Sequence, residues 1–143
     1  MSDPLRRHGG FADLVGYELT DWREDYAELS LAVEEKHLNR SGVLHGGVLT
    51  TLVDTVCGYA GTFCAEPGQT RRAFTLSLNT QFLGSVEAGS RLTAIGRRTG
   101  GGQRIYFSTA EIRDQDGRMI GQGNAVYRYR SGGSGARGGS DQP

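Results

Sequence analysis

The segment 38–60, which reads LNRSGVLHGGVLTTLVDTVCGYA, holds the residues that could do chemistry. Asp54 supplies a carboxylate, which is a candidate general base. Gly46 stands where a helix is predicted to begin, so its N–H has no intrahelical acceptor and lies at the positive end of the helix dipole. Such an N–H is suited to polarise a carbonyl group. The segment therefore predicts chemistry at a carbonyl carbon.

The spacing of these two residues determines how such a site is assembled. Gly46 and Asp54 lie eight positions apart in the chain, which is about 12 Å along one helix, too far for both to engage one carbonyl carbon. Two such helices packed antiparallel about a twofold axis near Thr50 bring Gly46 of one copy beside Asp54 of the other. We therefore expect a site that is shared between two subunits.

The helix is predicted over residues 46–63 and has two distinct faces. Its apolar face is formed by side chains at helical spacing, namely Leu49, Leu52, Val53, Val56, Ala60 and Phe63. Its second face combines small residues with one carboxylate, namely Gly47, Thr50, Thr51, Asp54, Gly58 and Gly61. Small side chains permit close approach, so we expect the same helix of a second subunit to pack here. The alternative is a surface helix of poor propensity with one exposed aspartate.

Strand-like alternation flanks the helix on both sides. Before it, residues 16–33 alternate, with Ala27, Leu29, Leu31 and Val33 on one face. After it come four strand-like stretches, at 73–86, 91–98, 104–113 and 119–130, separated by Gly-rich and Asp-rich turn signals. One long helix among five to six strands predicts an α+β domain whose antiparallel sheet curls around the helix.

Composition limits the classes of function. The 143 residues suit one domain at 1–130, followed by a Gly/Ser-rich tail at 131–143 that we expect to be disordered. Lys plus Arg and Asp plus Glu both number 16, whereas a protein held by nucleic-acid phosphates usually has a basic excess. No apolar run approaches the roughly 18 residues of a membrane span. We therefore expect a soluble, cytoplasmic protein that binds neither nucleic acid nor membrane.

Cysteines and histidines are few. Cys57 and Cys64 lie about 10 Å apart along the predicted helix, whereas a disulfide needs Cα atoms within roughly 7 Å. We expect no intrachain bridge and interpret both cysteines as small apolar fillers. Three histidines leave little material for a metal site, and we predict none.

A longer pattern in this region resembles a known family signature. The residues that carry it are Asn39, His45, Gly46, Gly47, Leu52, Asp54, Gly58 and Ala60. Together they are similar to the HGGxxxxLxDxxxGxA signature of the PaaI-type acyl-CoA thioesterases, a family with the hotdog fold. The resemblance spans roughly residues 11–129, because strand order, helix position and the late DxDG turn also fit.

The resemblance implies hydrolysis of a coenzyme A thioester, with CoA as part of the substrate rather than a cofactor. It implies a homodimer with shared active sites, usually a dimer of dimers, and favours aromatic acyl groups such as phenylacetyl. Carried over by position, the Gly46 N–H binds the thioester oxygen, and Asn39 and His45 position or polarise the thioester and its sulfur. Asp54 of the facing subunit activates water or attacks directly. Thr75 matches a position where relatives carry a Ser or Thr that orients the water.

Several of these residues also have a structural interpretation. His45 could serve only to cap the loop before the helix, and threonine at position 75 is ordinary in an alternating strand. Arg97, Arg98 and Arg104 flank a glycine turn and could hold CoA phosphates by charge-assisted hydrogen bonds. Equally, these three arginines fit solvated strand ends.

Two other functions compete with thioester hydrolysis. A hotdog acyl-thioester dehydratase or hydratase would place a histidine and a carboxylate in a proline-containing motif, and no proline lies near His45. A non-catalytic acyl-CoA binding module would keep the fold and the CoA groove without a base. The carboxylate of Asp54 on the helix argues against this second alternative.

Overall fold

The structure is a computed structural model that describes residues 9–131. The predicted tail lies outside this range apart from Ser131. Two α-helices, one 3-10 helix and six strands occur in the order α1 Gly10–Val15, β1 Glu18–Arg23, β2 Tyr26–Ala32, the 3-10 helix Glu35–His37, α2 Gly46–Ala60, β3 Ala73–Phe82, β4 Arg91–Gly101, β5 Ile105–Arg113 and β6 Met119–Tyr129.

The six strands of residues 9–131 form one antiparallel sheet in the order β1-β2-β4-β5-β6-β3. Helix α2 packs across one face of it and contacts every strand. The predicted α+β class, with one long helix on a sheet of five to six strands, is confirmed. Strand β3, which follows the helix, lies at the sheet edge, with β6 as its one neighbour in the described range.

The stretch 16–33, predicted as one strand-like pattern, is a hairpin of two strands. The chain turns after Arg23 through Asp25, which has a φ of 60°. Aspartate tolerates this left-handed conformation better than most residues because its short polar side chain can hydrogen-bond locally. Three consecutive polar residues, Arg23, Glu24 and Asp25, interrupt the alternation at this turn.

Helix α2 is close to the sheet because glycines in the strands leave room for it. A Cβ at Gly96 would lie 2.5 Å from the carbonyl oxygen of Val56, and one at Gly123 would lie 2.7 Å from Cγ1 of Val53. The predicted apolar face is buried as expected at Leu49, Leu52, Val53, Val56 and Ala60. Each of the leucine and valine side chains contributes roughly 1.5–3 kcal/mol through burial.

The helix ends at Ala60 rather than at the predicted Phe63. Gly61 and Thr62 donate backbone hydrogen bonds to the carbonyls of Gly58 and Tyr59 in the tighter i to i+3 pattern. The hydroxyl of Thr62 also donates to the Gly58 carbonyl. These bonds satisfy the last carbonyls and terminate the helix. Cys57 and Cys64 are both free thiols.

Candidate active site

The carboxylate of Asp54 is held by two hydroxyl groups. Thr75 Oγ1, from β3, donates to Asp54 Oδ1 over 2.8 Å. The hydroxyl of Tyr127, from β6, donates to the same oxygen over 2.8 Å. The other carboxylate oxygen, Oδ2, receives no hydrogen bond from residues 9–131. Asp54 and Thr75, both predicted from the sequence, therefore lie together, and Oδ2 is the oxygen left to act on a reactant.

Tyr127 is a site residue that the sequence reasoning missed. It is buried, its ring stacks on Tyr106 with centroids 5.1 Å apart, and its hydroxyl also contacts the Asp54 carbonyl oxygen. The pKa of Tyr127 is raised above its ordinary value of 10.0, mainly by burial and secondly by the negative charge of Asp54. The phenol therefore keeps its proton and remains a donor. A usable signal existed, because the alternation of β6 puts this phenol on the helix side, where it needs a polar partner.

His45 is the residue immediately before helix α2, and its side chain caps the helix. Its Nδ1 accepts a hydrogen bond of 2.7 Å from the Gly47 N–H. A neutral imidazole that accepts at Nδ1 carries its proton on Nε2. The capping interpretation is thus confirmed, and it is compatible with a functional one, because the exposed ring keeps an Nε2–H with which to donate.

Asn39 organises the loop that leads to the helix. Its Oδ1 accepts hydrogen bonds from the N–H groups of Ser41 and Val43, at 2.9 and 3.3 Å. Because the carbonyl oxygen is used within the loop, the amide NH2 group remains as a donor. The N–H of His45 bonds to the His37 carbonyl at 2.8 Å, which ties the start of α2 to the chain segment just before Asn39.

Gly46 is the first residue of α2, and its N–H has no acceptor within the helix. A Cβ at this position would lie 3.1 Å from Cε1 of Phe82, so the aromatic ring lies against the backbone here. Asn39, His45 and Gly46 thus form a group of donors at the N-terminal end of α2. Asp54 lies about 12 Å further along the axis, so these donors and the carboxylate are separated within one chain.

A cleft of about 320 Å³ lies beside Asp54, at the C-terminal half of α2. Its lining includes Thr75 and Tyr127 together with three arginines, Arg71, Arg72 and Arg130. The arginines singled out from the sequence, Arg97, Arg98 and Arg104, do not line it.

Arg97 and Arg98 are successive residues of β4, so their side chains leave opposite faces of the strand. The Arg97 guanidinium lies 4.9 Å from the Tyr26 ring centroid, and that of Arg98 lies 5.9 Å from the Tyr106 centroid. The structure therefore does not bring the predicted arginines together at the carboxylate.

The predicted small-residue face of the helix requires a correction. We expected Gly58 and Gly61 to face a second subunit, but both face tyrosines of their own sheet. A Cβ at Gly58 would lie 3.5 Å from the Tyr127 ring, and one at Gly61 would overlap the Tyr106 ring. The Tyr106 hydroxyl donates 2.8 Å to the Gly58 carbonyl. The two glycines leave room for tyrosines that are distant in the sequence and belong to the sheet. The local sequence pattern does not reveal this contact.

The Cys57 thiol, metal-ligand clusters and membrane-spanning helices were also considered from the sequence. Burial, and next the charge of Asp54, raise the pKa of the Cys57 thiol to about 12, so this thiol is a poor nucleophile. Residues 9–131 contain no group of three or more His, Cys, Asp or Glu side chains that could hold a metal ion. None of the helices in this range has the length and apolarity that a membrane crossing requires.

Comparison with known families decides the identity of the fold. A model of the thioesterase superfamily matches residues 41–120, which include His45, Gly46, Asp54 and Thr75. The chain belongs to the thioesterase superfamily. It is therefore a thioester hydrolase of the hotdog class and PaaI-like, and its six-stranded sheet on one main helix is the superfamily's fold. Asn39 and Tyr127 lie outside the matched range.

Individual members of the superfamily are similar over most of the chain. A candidate esterase of Pseudomonas aeruginosa is 32% identical over 125 residues, which cover 87% of this chain and 91% of that protein. The PaaI protein of the Escherichia coli phenylacetic acid degradation operon superposes with a TM-score of 0.76 at 26% identity, covering 88% of this chain and 87% of that one. Mouse acyl-coenzyme A thioesterase 13 is 28% identical over 94 residues, 65% of either chain.

Proposed function

We propose that this thioesterase hydrolyses the CoA thioester of a small aromatic acid such as phenylacetic acid. One observation carries the proposal: Asp54 Oδ1 accepts hydrogen bonds from Thr75 and Tyr127, and all three residues line a cleft of about 320 Å³, a volume that suits a small acyl group. The similarity to the PaaI protein, which comes from a phenylacetic acid degradation operon, supports an aromatic acyl group. The similarity to mouse acyl-coenzyme A thioesterase 13 supports CoA as the thiol.

In the proposed reaction, the donors at the start of α2 bind the thioester. The Gly46 N–H binds the carbonyl oxygen and stabilises the negative charge that develops on it. The Nε2–H of His45 and the amide of Asn39 position the thioester and its sulfur. Asp54 Oδ2 takes a proton from water, the water oxygen bonds to the carbonyl carbon, and the C–S bond breaks. The leaving thiolate of CoA then takes up the proton that Asp54 accepted, which regenerates the carboxylate.

A nucleophilic route uses the same atoms. Asp54 Oδ2 bonds to the carbonyl carbon, CoA leaves as the thiolate, and water then hydrolyses the resulting mixed anhydride to acid and free carboxylate. Thr75 and Tyr127 hold Oδ1 in both routes. The geometry supports both equally, because Oδ2 is the unbonded oxygen in either case.

We infer that the working unit is a homodimer with two shared sites. The separation of about 12 Å between Gly46 and Asp54 along one helix supports this arrangement, because an antiparallel second helix closes the gap. Strand β3 at the sheet edge leaves backbone groups that a second copy can pair with. Phe82 and Leu83, at the end of this strand, are 59% and 54% exposed, which supports an apolar contact there.

A dimer of dimers is supported by a second apolar surface. Phe74 and Ile105 are both cross-strand partners of Arg128 in β6, so they lie in one row across the sheet. Both side chains are exposed, as are those of Leu76 and Phe107 nearby in the same strands. Contiguous exposed apolar groups of this kind are typical of protein interfaces.

The test is release of free thiol from phenylacetyl-CoA, other aryl acyl-CoAs and alkyl acyl-CoAs, followed with a thiol reagent. We expect turnover to be fastest with an aryl acyl group and to fall by about 100-fold or more in Asp54→Asn, with a smaller effect on KM. Binding of the thioester without thiol release would instead support the acyl-CoA binding module. Addition or loss of water across a double bond would support the dehydratase or hydratase.

A further inference from the structure

The cleft beside Asp54 has an unusual charge balance. Three arginines line it, Arg71, Arg72 and Arg130, against the single carboxylate of Asp54. None of the three takes part in an ion pair with any residue in the described range 9–131. The carboxylate itself accepts hydrogen bonds from two hydroxyl groups instead. The lining of this cleft therefore carries three positive charges against one negative charge, although Arg71 also lines a neighbouring cleft with Glu24 and Asp25.

Arg71 is held in place by its surroundings. Its guanidinium carbon lies 4.5 Å from the centroid of the Tyr129 ring, and Nη1 donates to the Phe63 carbonyl over 3.4 Å. Stacking on an aromatic face fixes the plane of a guanidinium and thereby lowers the entropy lost when it binds a ligand. Its Nε is buried and has no hydrogen-bond partner among the described residues. A buried donor of this kind costs free energy unless a further group accepts from it.

Arg72 and Arg130 face each other across the end of the β3–β6 ladder. The N–H of Arg130 donates to the Arg72 carbonyl over 2.8 Å, directly beyond the Ala73 and Tyr129 pair. Two like charges directly opposite each other in an antiparallel pair are destabilising. An anion bound between them would offset this repulsion, and arginine is well suited to carboxylate and phosphate because its planar fork can donate two parallel hydrogen bonds.

We propose that Arg71, Arg72 and Arg130 form a subsite for an anionic group of the thioester substrate. This proposal rests on the proposed thioesterase function and adds a property of the substrate. Two sources share the required chemistry, namely the phosphates of CoA and a carboxylate on the acyl group. The cleft is large enough for either, and Arg97, Arg98 and Arg104 do not line it, although Arg98 lies with Arg71 in the neighbouring cleft.

The experiment compares Arg72→Gln and Arg130→Gln with Arg91→Gln, a matched control. All three side chains are exposed, but Arg91 lies at the start of β4, donates a hydrogen bond to Ser30 and does not line the cleft. Four substrates separate the sources: phenylacetyl-CoA, the phenylacetyl thioester of N-acetylcysteamine, glutaryl-CoA and pentanoyl-CoA. The second lacks every phosphate, and glutaryl-CoA differs from pentanoyl-CoA by a terminal carboxylate.

If CoA supplies the anion, KM rises about tenfold or more for all three CoA thioesters in both cleft variants and stays unchanged for the N-acetylcysteamine thioester. If the acyl group supplies it, KM rises for glutaryl-CoA alone. In both cases, wild-type KM also rises with salt, because ionic screening weakens the attraction. The proposal is wrong if the cleft variants match Arg91→Gln with every substrate.

Affinity measurements distinguish a failure of this proposal from a failure of the proposed function. If the wild-type protein releases no thiol from any substrate, the proposed function fails, and calorimetric affinities for the same four compounds then replace KM. The same pattern of losses in Arg72→Gln and Arg130→Gln supports the subsite, and equal affinities in all variants contradict it. Circular dichroism of each variant verifies that the fold is intact.

Discussion

The hydrogen bond from Tyr127 to Asp54 predicts a defect in catalysis when its hydroxyl is removed. Tyr127→Phe keeps the ring, and so keeps the stacking on Tyr106, but removes the donor that lies 2.8 Å from Asp54 Oδ1. We treat Tyr127 as a positioning residue, because it acts on substrate through Asp54. Without it, the carboxylate is held by Thr75 alone and rotates more freely about its χ2 bond.

The size of the defect follows from the type of bond that is lost. A hydrogen bond to a charged acceptor contributes about 1.5–3 kcal/mol, and each 1.4 kcal/mol corresponds to about a factor of ten in rate. Since Thr75 retains its own bond to Oδ1, we expect the lower end, a decrease in kcat of about tenfold. KM should change little, because Tyr127 positions the catalytic group rather than the acyl chain.

Tyr106→Phe is the matched control. It also removes a buried phenol hydroxyl, which donates 2.8 Å to the backbone carbonyl of Gly58 and not to Asp54. Both variants should lose about 1–3 kcal/mol of the free energy of unfolding in urea titrations, but only Tyr127→Phe should lose kcat in the thiol-release assay. Unchanged kcat in Tyr127→Phe, or an equal loss in Tyr106→Phe, would refute the reasoning.

Further predictions concern the carboxylate, the glycines and the alkaline stability. One turnover of the wild-type enzyme in H₂¹⁸O, with enzyme in excess over substrate, should place the label in Asp54 if Asp54 is a nucleophile and water attacks the aspartyl carbonyl of the mixed anhydride; label in Asp54 contradicts the base route, in which water attacks the acyl carbon and the label enters the acid alone. Gly61→Ala should lower the free energy of unfolding by more than about 1 kcal/mol because its Cβ overlaps Tyr106, whereas Gly58→Ala should be tolerated. Because burial raises the Cys57 pKa from 9.0 to about 12, the unfolded chain loses this proton from about pH 9 upward while the folded chain keeps it. Stability should therefore be unaffected by this group below about pH 9 and decrease above it, an effect that Cys57→Ala removes.

The sequence predicts the fold well because the main signals are local. The helical spacing of Leu49, Val53 and Val56 marks the face that is buried, and period-two alternation marks the strands. The turn at Asp25 has a local signal as well, because the polar run Arg23, Glu24 and Asp25 interrupts the alternation, and our assignment of 16–33 as one strand-like stretch did not use it.

The site is predictable only where its residues share one segment. Asn39, His45, Gly46 and Asp54 lie within the signature region. The structure places the first three at or before the start of α2 and Asp54 about 12 Å further along the helix. Tyr127 and the three cleft arginines come from other strands, and their positions depend on the register of β6 against β3. Register is a non-local property that the sequence pattern does not reveal. For this reason the pattern also placed Gly58 and Gly61 against a partner subunit rather than against the sheet.

The shared site is the central claim, and subunit complementation tests it most directly. His45→Ala and Asp54→Asn homodimers should each be inactive, because every site in them lacks one essential group. After subunit exchange, verified by mass spectrometry, half of the dimers are mixed, and each mixed dimer has one site with both lesions and one with none. Thiol release should then recover to about a quarter of the wild-type rate. No recovery after verified exchange would mean that each subunit holds a complete site, which contradicts the antiparallel pairing of two α2 helices.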